Sequence, residues 1–159
     1  MRFFKIIATL IGIISFGVIS YFSGLVFIVE KSSNPPVIAL LYLIAIFVFS
    51  ALNLIYHFKS YHFYKKTAYK TIHRKFSKLL MGSAIVFNCL LIFLFGLAAY
   101  DYILYFQYRS VFDTKDIFII MTVFVFSVVG FLEMMLLTKR IKTVRQEVET
   151  QEEIENIGS

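Results

Sequence analysis

Five polar side chains lie inside long apolar runs and are the best candidates for chemistry: Glu133, Asn53, Ser50, Ser83 and Thr9. A carboxylate within a membrane span costs about 2.5 to 3.5 kcal/mol on insertion scales unless it finds a partner or water. Glu133, Asn53, Thr9 and Ser83 come out at comparable depth on four successive spans, which allows a polar cluster at one mouth of a helix bundle. In one reading Glu133 is a protonatable or cation-binding group, with Asn53 and Ser50 lining its path. In the other it pins helix ends in register by pairing with Arg140, Lys78 or His57 near the boundary.

Asn88 falls near the middle of the third apolar run, where an unsatisfied amide is costly, so it needs a hydrogen bond from a neighbouring helix or a second subunit. Gly82, Cys89 and Gly96 recur every seven residues on the same run, the spacing of a packing seam. Asn88, Gly82 and Gly96 are therefore the candidate oligomer contacts. His57, His62 and His73 sit in a basic stretch with no acidic residue to complete a metal site, and are read as interfacial histidines. Asp101, at the outer end of the third run, caps or pairs near Arg109. No glycine-rich phosphate loop, HExxH helix or GxSxG elbow is present, and neither Ser50 nor Ser127 has a histidine at matching depth. No catalytic group, cofactor or metal is expected, and the chain reads as a non-enzyme.

The elements that position these residues follow from composition. Of 159 residues 59% are hydrophobic and 16% charged, which excludes an ordinary soluble domain. Apolar runs at 6–29, 36–56, 79–99 and 117–138 are each long enough to span a bilayer. The first is too long for a signal-peptide core of about 7 to 15 residues and is read as a retained helix. The pattern predicts an all-α, polytopic integral membrane protein, a four-transmembrane-helix bundle occupying 1–138. Thr9, Gly12, Ser20, Ser23 and Gly24 form the small face of helix 1, and Tyr42, Ser50, Asn53 and His57 the polar face of helix 2. FVFS at 47–50 returns at 124–127, a faint sign of duplicated hairpins.

Between the second and third runs, 57–78 is a basic loop with Lys59, Lys65, Lys66, Lys70, Arg74, Lys75 and Lys78 and no acid. Lys139 and Arg140 open a charged tail, 139–159, whose Leu137, Ile141, Val144 and Val148 spacing predicts a helical cytoplasmic extension of helix 4. Because Lys and Arg collect beside the inner ends of spans, both termini and the basic loop are placed in the cytoplasm. A bacterial inner membrane fits the composition. The net charge of +6 is then matched to anionic lipid headgroups or an acidic protein partner, and nucleic acid is disfavoured.

The functional expectation is a non-enzymatic small membrane subunit that forms a homo-oligomer and anchors or signals to a cytoplasmic partner through its basic loop and charged tail. A bacterial defence or immunity system is one setting for such a subunit. The alternative is a small oligomeric ion or proton channel or transporter using Glu133 and Asn53. Above Glu133 helix 4 offers mainly Val, Phe and Ile, so any pore would be hydrophobically gated.

Overall fold

The computed structural model describes residues 2–29, 37–65, 77–109 and 114–157. Among them there is no strand. Four helices account for nearly all of the described residues: α1 (Arg2–Val29), α2 (Val37–Ser60), α3 (Lys78–Arg109) and α4 (Thr114–Ile157), with one 3-10 turn among these residues, η1 (Tyr61–Tyr64), after α2. Each helix has a stretch long and apolar enough to cross a membrane. In hydrocarbon the backbone must satisfy its own hydrogen bonds, which makes an uninterrupted helix the form these runs adopt.

All four helices outrun the spans expected from hydropathy. HFKS, assigned to the basic loop, contains no helix breaker, and α2 continues through it. Ser60 Oγ closes the last turn by donating to the Tyr56 carbonyl at 2.7 Å. The chain then tightens into η1, which ends where the Lys65 N–H donates to His62 O at 3.1 Å. Residues 57–64 are therefore helical rather than loop. The aromatic-rich residues 100–109 are the last part of α3. At 44 residues α4 is about 66 Å long, more than twice a bilayer core, and contains the expected extension without a break.

Sequential helices run antiparallel. Lys5 near the start of α1 meets Ser60 at the end of α2; Tyr42 near the start of α2 donates to Leu90 O of α3 at 2.9 Å; and Ser127 of α4 donates to Asn88 O of α3 at 2.9 Å. The two hairpins also carry matching ring pairs, Phe16 with Phe47 at 5.9 Å and Phe95 with Phe124 at 4.9 Å. Phe47 and Phe124 are the first residues of the repeated FVFS, and its serines, Ser50 and Ser127, are both buried.

Two apolar clusters hold the helices together. Ile46, Phe87 and Leu91 form one, flanked by Ile19, Tyr42 and Phe126. The other lies beside η1: Tyr56, Phe63, Tyr64, Leu80, Ala84, Met134 and Leu137. Helices α1 and α4 touch much less than the three sequential pairs do. Their seam is closed at one end only, by the polar cluster described next.

Candidate functional site

Helix 1 presents Lys5, Ala8, Gly12 and Ser15 on one buried stripe, at intervals of three, four and three residues. The first of these carries a full charge into the bundle. Lys5 and Glu133 are both 0% exposed, and Lys5 Nζ lies 2.6 Å from Glu133 Oε1. The ammonium also donates to Ser60 Oγ at 2.6 Å and contacts His57 Nδ1 at 3.1 Å. An ammonium has only hydrogens to offer, so His57 Nδ1 is the acceptor and its proton sits on Nε2. All three Lys5 donors are thereby used. On the other side, Tyr56 Oη donates to Glu133 Oε2 at 2.5 Å. Both carboxylate oxygens hold a donor, and the Tyr56 ring lies 5.0 Å from the ammonium.

Glu133 is sealed because η1 folds back over it. Phe63 and Tyr64 pack with Leu137 and Met134 beyond the carboxylate, and the Tyr64 ring lies 5.8 Å from Lys5 Nζ. The arrangement joins α1, α2 and α4 through one pair of charges. Bringing opposite charges into low dielectric offsets their desolvation only when geometry is good and the remaining donors and acceptors are met; here the three ammonium donors and both carboxylate oxygens are engaged.

Deeper in the bundle, a cavity of about 10 Å³ is lined by Ser15, Asn53, His57 and Asn88 among apolar neighbours. Two glycines make room for its polar walls. A Cβ on Gly12 would come within 2.8 Å of the His57 ring, and one on Gly130 would overlap the Asn88 carboxamide.

Of the residues singled out from sequence, Glu133 and Asn53 are both buried, but Asn53 lines the cavity instead of bonding to Glu133. Ser50, Ser83 and Thr9 spend their hydroxyls on their own helices, donating to Phe47 O, Leu80 O and Lys5 O at 2.7, 2.9 and 2.8 Å. They add nothing to the ion pair. The partners expected for Glu133 were Arg140, Lys78 or His57; Lys5 and Tyr56 hold it instead. Arg140 pairs with Glu147 at 3.3 Å and Lys78 is exposed, while His57 reaches the pair only through Lys5. His57 is buried in the bundle, not placed among headgroups, because α2 continues past it.

Asn88, expected at an oligomer contact, is inside the chain's own bundle, with Nδ2 donating to Ala84 O at 2.8 Å. Gly82 and Gly96 have open space where a Cβ would stand. The α3 surface facing the other helices is instead Leu80, Ser83, Ala84, Phe87, Asn88 and Leu91. Lys59, Lys65, Lys78 and Lys139 are exposed. Lys66, Lys70, Arg74 and Lys75 lie outside the described residues, as do residues 30–36.

Sequence reasoning missed Lys5, Tyr56 and Ser60. The signal for Lys5 was its register with Ala8, Gly12 and Ser15. Among the described residues no group of three or more His, Cys, Asp or Glu converges as a metal site. No protein-family model matches the chain, and comparison with curated proteins and with solved structures finds no match either.

Proposed function

We propose that this chain is a non-enzymatic membrane subunit: a four-helix transmembrane bundle that holds α4 rigidly and presents its charged extension to a cytoplasmic protein partner. The observation that carries the reading is the unbroken passage of α4 from an apolar span into a charged helix. From Thr138 to Ile157 that extension is about 29 Å long. The cations at the start of α1, on the 57–65 segment and from Lys139 to Arg145 all belong to one end of the bundle, and the positive-inside rule makes that end cytoplasmic. The basic segment then lies against anionic lipid or the partner, and the open face bearing Gly82 and Gly96 is where a second copy would pack.

A conduit is the weaker reading. Lys5 and Glu133 are paired with each other, with Ser60 and His57 on the ammonium and Tyr56 on the carboxylate, and the void on the far side of His57 has room for about one water. A carboxylate that has to bind and release an ion would not be so fully paired.

The test is affinity capture from membranes of the source organism, with the full chain and with a chain truncated after Thr138. Loss of a specific protein upon truncation supports the reading, and an identical set of captured proteins refutes it.

A further inference from the structure

Arg2 is held against the backbone next to Lys65. Arg2 Nε donates to Tyr64 O at 2.6 Å, and that carbonyl belongs to the peptide unit joining Tyr64 to Lys65. Both side chains are exposed. Neither α1 nor the 37–65 segment contains an acidic residue, and Glu133 beneath them is already committed to Lys5 and Tyr56. Two exposed cations at neighbouring backbone positions, with no acidic residue on either segment, attract a soluble or lipid-borne anion.

Immediately toward the membrane is an apolar groove of about 250 Å³ between α1 and the end of α2, lined by Ile6, Thr9, Leu10, Phe58 and Tyr61. Arg2 stands one turn before Ile6 on the same face of α1, and Lys65 follows η1 in extended backbone, four residues after Tyr61. Thr9 is the single hydroxyl-bearing aliphatic residue in the lining, and its Oγ1 is turned away to Lys5 O. The groove wall is left almost wholly hydrocarbon.

We propose that this groove and the two cations form a binding site for one anionic phospholipid, with an acyl chain along Leu10 and Phe58 and the phosphate between Arg2 and Lys65. Charge complementarity selects the headgroup, and the groove separates a phospholipid from a free phosphate, which has nothing to place there. Basic pockets between helices at a cytoplasmic membrane face are suited to such lipids. The site rests on the transmembrane placement of the helices and not on any protein partner.

Native mass spectrometry of the full-length chain, released from detergent with phosphatidylglycerol or phosphatidylcholine of matched chains, tests it. One phosphatidylglycerol should be retained at least about fivefold more tightly than phosphatidylcholine, and Arg2→Gln or Lys65→Gln should each remove about that factor. Leu10→Trp should weaken both lipids by filling the groove, while Lys142→Gln, an exposed cation on the α4 extension, should change nothing. Equal retention of the two lipids, or an equal loss in Lys142→Gln and Arg2→Gln, would overturn the site. Displacement of the lipid by millimolar inorganic phosphate would also overturn it, by reassigning the cations to a soluble anion. No protein partner is present in the assay, so its failure leaves the capture experiment above independent.

Discussion

Lys5 Nζ and Glu133 Oε1, 128 residues apart in sequence, meet at 2.6 Å with both side chains fully buried. This contact closes the one seam of the bundle that sequential packing leaves open, between α1 and α4. It also shows why α1 begins with a charged residue on its inward face.

Removing one member of the pair should be far more damaging than removing both. Lys5→Met or Glu133→Leu leaves an uncompensated charge and should cost about 3 to 5 kcal/mol, whereas the double variant replaces the pair with apolar volume and should recover most of that loss. Thermal or denaturant unfolding in detergent measures the cycle. Additive losses in the double variant would mean that the two charges do not act as a pair.

Tyr56→Phe deletes the donor to Glu133 Oε2 without changing the ring, and should cost about 1 to 3 kcal/mol. The same unfolding measurement reads it. Ser127→Ala, which removes a donor to the Asn88 carbonyl, should cost less, about 1 kcal/mol.

The glycines divide into two classes. Gly12→Ala and Gly130→Ala drive a methyl group into His57 and Asn88, and overpacking of this kind costs about 1 to 3 kcal/mol. Gly82→Ala and Gly96→Ala meet nothing within 4 Å and should be neutral or stabilising by up to about 1 kcal/mol in the monomer. Mass measurement of the last two variants has a second use: a shift in oligomer size would locate a subunit seam on that face.

Orientation is tested by single cysteines in a Cys89→Ala background. Lys142→Cys should react with a membrane-impermeant maleimide only in inside-out vesicles, and Asp116→Cys only in intact cells. The reverse pattern would invert the bundle.

The four spans were legible in sequence because each is a run of about 20 apolar residues, a signal set by bilayer thickness. Glu133 was legible because a lone carboxylate in such a run has to be explained. Lys5 was hidden by the rule that made topology readable: every cation flanking a span can be accounted for by orientation alone, so its inward register went unused. The periodicity of α3 marks a face that the chain's own helices leave open. Gly82, Cys89 and Gly96 do share a face, but small residues can lie on an open surface, and the larger Leu80, Phe87 and Leu91 make the packing. The fold-back of η1 left no local mark, since YHFY suits a headgroup interface as well as a lid. Only its tertiary contact with Leu137 and Met134 distinguishes the two.

The proposed function rests on the α4 extension, with the buried ion pair proposed to hold that helix in place. Quantitative capture from source membranes should therefore compare the full chain, the chain truncated after Thr138, and the Lys5→Met/Glu133→Leu double variant at matched expression. The expected result is that the double variant keeps the cytoplasmic partner and the truncation loses it. Retention of the partner by the truncated chain, together with its loss from a folded double variant, would contradict both assignments.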